Sequence, residues 1–308
     1  MKNETQTGIT ARRWSWFSFL VGIGVATCVF ALSSPWRKNV AQRPPLRVPI
    51  ETERDRGSSP GTAEASSVDE VLRIAKDALD HIRLNVVDYT ATMVQQETVG
   101  GVLGVPTHIA LKIKQPTTIP SPDGGQGEFR TMRVYLRFLE PASVAGREVI
   151  WAQDLYDAQL VAHEGGWMGV MTLRLDPTGM LAMRGQKYPI YDIGLEKLIV
   201  KLIERGSRDL GNPDVSVTID RNLELDGNAC QLVVVKRSRP SGEADDFSRA
   251  EICFDVARKL PLRYTSYGWP DDAGNVQVIE SYTYLNIQTN VGLADKDFDP
   301  DNPEYAYP

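Results

Sequence analysis

The three histidines, His81, His108 and His163, are the first residues in this 308-residue chain to examine for chemistry. His163 is followed by Glu164, but the segment around them alternates as a strand, and strand neighbours point to opposite faces. The two therefore do not converge as an acid and a base. The chain has no GxSxG elbow, no HExxH, no P-loop lysine motif and no Rossmann glycine fingerprint. Spacing leaves open a Ser–His–Asp set assembled from distant strands. The plainer reading is three structural histidines, and we expect no catalytic residue, no cofactor and no enzymatic activity.

Cys230 and Cys253 are the next pair to consider. If the strands around 229–236 and 249–256 form a hairpin about Arg239–Glu243, constant-sum pairing sets 230 opposite 253, and a cross-strand disulfide is expected. Two free thiols remain the alternative. Two cysteines without matching histidine spacing make no zinc site, so no metal is expected. Cys28 sits inside an apolar run and reads as a buried membrane cysteine. Asp295, Asp297, Asp299 and Asp301 alternate like calcium ligands, but the glycine that such a loop needs is absent and Pro300 interrupts them. They read as a solvated, irregular acidic tail over 295–308. Arg174–Gly179 is a turn signal, and Met180, Leu181, Ala182 and Met183 follow it as an apolar loop, either a flap over a cavity or a buried connection.

The elements that must position these residues follow from periodicity. Ser67-Val68-Asp69-Glu70 is a capping box. Val68, Val71, Leu72, Ala75, Leu79, Ile82 and Val86 recur behind it at helical spacing. After Asp88 the period changes to two. Ile109, Leu111 and Ile113 alternate with polar residues and Ala110, as do Met132, Val134, Leu136 and Phe138 with Arg133, Tyr135 and Arg137, which predicts antiparallel sheet with one dry face. Further strands are expected near 89–98, 147–152, 159–163, 168–174, 215–221, 229–236, 250–256, 261–266 and 277–287. A second helix is expected over about 192–205, with Asp192 as its cap and Gly206 as its stop. Helix, strands, helix and more strands make an α+β fold.

The chain has 34 Lys+Arg against 40 Asp+Glu. Up to Arg47 there are seven basic residues and one acid, which leaves 27 basic and 39 acidic residues, a net of −12, for the remainder. Such a body repels phosphate backbones, so no nucleic-acid partner is expected. Between Arg13 and Arg37 lie 23 uncharged residues, about 35 Å of helix at about 1.5 Å per residue, enough to cross a hydrocarbon core of about 30 Å. Residues 14–36 read as an uncleaved membrane anchor behind a short segment 1–13. Ala31-Leu32-Ser33 offers a cleavage site for the alternative, a signal peptide. The small N-terminal side and the large C-terminal side place the body outside the cytoplasm, on the periplasmic side. Pro-rich, charged residues 37–66 read as a flexible tether with a reach of roughly 30 Å, followed by one folded domain over 67–294.

Several motifs in a fixed order carry a resemblance. Tyr135-Leu-Arg-Phe-Leu-Glu-Pro141, Gly146-Arg-Glu-Val149, Leu175-Asp-Pro-Thr-Gly179 with Leu181-Ala-Met-Arg184, Tyr188-Pro-Ile190 and Asp297-Phe-Asp-Pro-Asp-Asn-Pro-Glu-Tyr305 resemble an uncharacterised bacterial envelope family, a domain of unknown function, over residues 68–305. That family assigns no catalytic residue. Ile252-Cys-Phe-Asp-Val256, Leu260-Pro-Leu-Arg263 and Tyr282-Thr-Tyr284 with Asn286 are similar, more distantly, to the last hairpins of LolA-type periplasmic lipoprotein carriers and related sensor domains. The resemblance implies an antiparallel sheet curled into an incomplete β-barrel with helices on its concave face.

On such a half-barrel the inner face would be lined by Ile109, Leu111, Ile113, Met132, Val134, Leu136, Phe138 and Trp151, which could hold a lipid or the acyl chain of a lipoprotein or serve as plain core. The leading expectation is a membrane-tethered binder of such an apolar ligand. The helix at 192–205 and the loop 177–189 would move aside as the chain enters. The alternative is an envelope protein–protein interaction or sensory domain.

Overall fold

The computed structural model describes residues 63–119, 128–166, 170–243 and 246–308. The expected anchor, Cys28 and almost all of the expected tether lie outside the described residues. No helix among the described residues is long and apolar enough to cross a membrane. Residues Ser58–Pro308 form one compact unit. Among the described residues the buried core runs from Leu72 onward, within this compact unit, so the body carries a hydrophobic core of its own.

The chain runs β1 (Glu64–Ser66), α1 (Val68–Asn85), β2 (Asp88–Val99), β3 (Val102–Leu103), β4 (Thr107–Lys114), β5 (Thr117–Ile119), β6 (Glu128–Arg130), β7 (Arg133–Glu140), β8 (Glu148–Ala152), β9 (Leu160–His163) and β10 (Leu173–Leu175). After a long loop come α2 (Leu195–Arg208), β11 (Val215–Leu225), β12 (Asn228–Arg237), β13 (Arg249–Asp255), β14 (Pro261–Tyr267) and β15 (Val278–Thr289). The main sheet is antiparallel, in the order β1-β11-β12-β13-β14-β15-β2-β4-β7-β8-β9-β10, with β3 folded back on β2 and β5–β6 a separate hairpin. Its edges are β1 and β10, so it does not close. The last three residues of the expected tether are thus an edge strand, with Ser66 opposite Val217.

One core cluster joins Val217 and Ile219 of β11, Trp151 of β8, Leu160 of β9 and both helices. Laid flat, β11 and β9 would be about 43 Å apart at about 4.8 Å per strand, more than two helices of about 10 Å diameter can bridge. The sheet must therefore curl round the helices, as an incomplete barrel of α+β class. Residues expected to face inward do so, since Ile109 pairs with Phe138, Leu111 with Leu136 and Ile113 with Val134, and all six are buried.

Helix α1 begins as its sequence predicts, with the Ser67 hydroxyl accepting the Glu70 N–H at 3.2 Å. The reciprocal half of the box is replaced: the Glu70 carboxylate takes Arg221 of β11 at 2.9 Å. Helix α2 starts and ends three residues later than expected. Its N-cap is Gly194, at φ 110°, where a Cβ would lie 2.8 Å from the Tyr89 hydroxyl and 3.3 Å from Ile113 Cδ1. The Leu195 N–H, one of the orphan donors of a helix start, is taken by that Tyr89 hydroxyl at 3.0 Å. Gly206 does not stop the helix. It lies inside it, where a Cβ would come within 3.0 Å of Leu72, so its missing side chain lets α2 approach α1.

Two further expectations are corrected. Cys230 pairs with Asp255 and Cys253 with Leu232, two residues away from the expected register. The Arg237 N–H bonds Ser248 O and the Arg237 guanidinium holds Asp246 at 2.7 Å, so the connecting loop is longer than Arg239–Glu243. Both cysteines are free and buried, and burial pushes the Cys253 thiol up to about 11. The acidic tail is not solvated either. Phe298 is fully buried, Tyr305 stacks on Tyr135 at 4.1 Å, Lys112 holds Asp297 at 2.6 Å and Arg133 holds Asp295 at 2.8 Å. Its aromatic residues strap it over the convex face of β7–β9.

Substituting Gly194→Ala forces a side chain into a left-handed conformation and into Tyr89, and urea unfolding of the body should register a loss of about 2–4 kcal/mol; a loss below about 0.5 kcal/mol would show that α2 is not seated there. Thiol titration of the unfolded, unreduced full chain should count Cys28, Cys230 and Cys253 all reactive, whereas a single reactive thiol would restore the disulfide.

Candidate functional site

Between the concave face and its plug lies a cavity of about 350 Å³, within the lower range of small-molecule sites. The sheet supplies Met93, Ile109, Leu136, Phe138, Val149 and Leu160, α2 supplies Leu198 and Leu202, and the loop before it supplies Pro177, Leu181, Ala182 and Ile190. Of the eight residues expected to line the hollow, Ile109, Leu136 and Phe138 do. Leu111, Ile113, Met132, Val134 and Trp151 are buried but do not border it, because the Gly194 seat brings the plug down onto that part of the sheet. Trp151 is tilted against Tyr191 at 6.0 Å and donates to Ala158 O.

The cavity is polar at one end. Alternation along β2 carries the inner face from Met93 to Gln95 and Glu97, and β15 brings Glu280, Tyr282 and Tyr284 to the same wall. The Glu280 side chain is 2% exposed and sits between Lys187 of the loop, at 2.9 Å, and Arg205 of α2, at 3.0 Å. Arg205 also donates to Tyr264 at 2.6 Å and Tyr188 at 3.3 Å. Glu97 accepts the Lys187 backbone N–H at 2.8 Å and the Tyr282 hydroxyl, and Gln95 donates to Gln186 at 3.3 Å. Loop, helix and sheet are thereby joined at one point. Sequence reading found none of these charged residues, whose positions 97, 187, 205 and 280 form no local motif.

Burial alone would raise the Glu280 carboxyl, but Lys187 and Arg205 outweigh it and hold the group below its ordinary value. Burial and then Glu280 push the Tyr264 phenol up to about 12; the same two causes raise Tyr188 and Tyr282. The polar end thus holds two carboxylates, Glu97 and Glu280, two cations and neutral phenols. Beside this end Lys201 pairs with Asp192 at 3.0 Å over the Tyr188 ring, and elsewhere in the lining Arg147 pairs with Glu164 at 3.0 Å.

The described residues lining the cavity include no His, Cys, Ser or Thr. His163 Nε2 lies 3.5 Å from Glu148 Oε2 with both side chains buried, but Glu148 and His163 pair across β8–β9 on the convex face, beneath Tyr307. His81 is on α1, where Asn85 bonds it, and His108 is on β4 opposite Glu140. Among the described residues no cluster of three or more His, Cys, Asp or Glu could hold a metal. The arrangement is an apolar hollow whose charged lining residues are held in ion pairs and hydrogen bonds.

Glu280→Gln removes the carboxylate that Lys187 and Arg205 share, a loss of about 1.5–3 kcal/mol. A carboxyl held below its ordinary value of 4.5 contributes stability in full above that pH and loses it as pH falls through the folded value. Unfolding free energies measured between about pH 3 and pH 7 should therefore fall less steeply on the acid side in the variant. A variant as stable as the wild type, with the same acid slope, would contradict the latch.

No curated protein matches the chain. It is similar to the crystal structure of a DUF1329 family protein from Desulfovibrio piger, with 14% identity, 76% of this chain and 98% of that one covered, and a TM-score of 0.35. It is also similar to a putative outer membrane lipoprotein-sorting protein domain from Vibrio parahaemolyticus, with 12% identity, 76% and 97% covered, and a TM-score of 0.34. Both superpositions are loose, and neither bears on what the cavity holds. A family model described as a protein of unknown function, DUF1571, matches residues 86–307, and the chain belongs to that family.

Proposed function

We propose that the body is a binding module for an acyl chain, of a lipid or a lipoprotein, working outside the cytoplasm on a membrane tether and without chemistry. The observation that carries this reading is the unfilled apolar space of about 350 Å³ between the sheet and its plug. A core packed for stability alone leaves few voids larger than a water molecule. The 23 uncharged residues of 14–36 support the tether.

The mechanism is displacement. The wall formed by loop 177–189 is held to the sheet by Gln95, Glu97 and Glu280 and crosses the hollow as turns rather than as helix or strand. An entering chain longer than the hollow pushes this wall outward, and its methylenes replace the loop's contacts with Leu136, Phe138 and Leu198 at about 0.8 kcal/mol for each one buried.

The full chain purified from membranes, extracted with solvent and analysed by mass spectrometry, should yield acyl lipid at close to one per chain after extensive detergent exchange. Ala182→Trp, which fills the cavity from its loop side, should reduce that yield at least tenfold while leaving the midpoint of thermal unfolding within about 3 °C. A wild-type protein that comes out empty would overturn the proposal and favour an interaction or sensory domain. Equal lipid in the variant would place the lipid elsewhere.

A further inference from the structure

Seven large apolar side chains among the described residues are between 63 and 87% exposed. One of them, Leu84, lies in the last turn of α1. The other six lie in the turn after β2, in the connection into β10 and in the loop that closes the cavity. Val170 and Met171 lead into edge strand β10, whose Leu173 and Leu175 line the cavity. Met180 and Leu181 are on the closing loop, with Leu181 itself in the lining. Val102 and Val105 belong to the turn that folds back on β2, where the Gly104 N–H bonds Glu97 O beside the polar latch.

Scattered exposed apolar residues need no explanation, but six of seven confined to three segments next to cavity-lining residues do. They come from three separate turns, are aliphatic and protrude. Protein–protein hot spots are instead built from Trp, Tyr and Arg set in pockets. Of the nearby cations, Arg184 on the closing loop borders the cavity, whereas Arg174 alternates with the cavity-lining Leu173 and Leu175 and lies over Tyr156 on the other face of the sheet. Aliphatic tips carried on turns suit a bilayer interface, where they enter the acyl region and Arg184 at the cavity border can meet a phosphate. The apolar run 14–36 independently puts a bilayer within reach of this chain's chemistry.

We propose that this rim is a docking surface for a phospholipid bilayer, which brings the cavity mouth to the lipid. The inference is independent of whether the cavity holds an acyl chain, because all of these side chains except Leu181 lie outside the lining.

The test uses the body alone, residues 58–308, which carries its own core, so the apolar N-terminal run cannot contribute. In flotation with vesicles of phosphatidylcholine and phosphatidylglycerol the wild-type body should rise with the vesicles. The triple variant Val102→Asp, Met171→Asp, Met180→Asp, none of whose sites lines the cavity, should bind at least tenfold more weakly. Val256→Asp, at an exposed valine just after β13, should float as the wild type does. Circular dichroism, together with binding of a soluble fluorescent fatty acid, checks that the triple variant keeps its fold and its cavity. Lost flotation with retained fatty-acid binding supports docking, and failure of the cavity reading alone would show as flotation without fatty-acid binding. A wild-type body that stays at the bottom, or a triple variant that floats equally well, would overturn the proposal. So would a wild-type dimer that the triple variant converts to monomer without any vesicle binding, since the rim would then join two copies.

Discussion

A carboxylate taken almost entirely out of water must be paired, and in this protein the pairing of Glu280 organises the site. Its two cations come from different elements, Lys187 from the loop and Arg205 from α2. Burying one side chain on β15 therefore ties loop, helix and sheet together. At the other end of the plug, Gly194 lets α2 rest directly on Tyr89 and Ile113. Between the polar tie and the close seat, the apolar faces are held apart, and the cavity is the space that results. Either contact alone would leave the loop free to collapse onto Leu136 and Phe138.

Much of the scaffold could be read from residue order. Strict alternation at 109–113 and 132–138 identifies the inward faces, and the spacing from Val68 to Val86 identifies α1. The division of the inward residues into cavity wall and filled core could not be read, because it depends on where α2 comes to rest, and only the left-handed conformation at Gly194 reveals that. The register around the two cysteines failed for a related reason. Arg237 and Asp246 set the length of a loop that looks shorter when its turn residues alone are considered. Glu280 left one trace that went unread: it falls on the inward alternation of Tyr282 and Tyr284, where an acid has to find a partner. The tail likewise carries Phe298, Tyr305 and Tyr307 among its acids, and aromatic residues in an acidic segment point to a surface that they cover.

The two sides of the sheet do different work. Over β7–β9 the convex face is sealed by the C-terminal strap, which locks the Glu148–His163 pair away from solvent, so that pair is structural. The concave face is left partly empty. Stability is concentrated where no ligand would go, and the weakly structured loop stands where one would enter, as expected when the elements that move are drawn from the less stable part of a fold.

The most direct measurement is methyl NMR of the body with a fatty acid carrying a nitroxide near the end of its chain. Our account predicts strong paramagnetic broadening of the methyl groups of Ile109, Leu136 and Leu198 at the cavity wall, and none for Ile219 or Val217 in the filled core behind α1. Broadening confined to surface methyl groups, or no broadening at all, would contradict it.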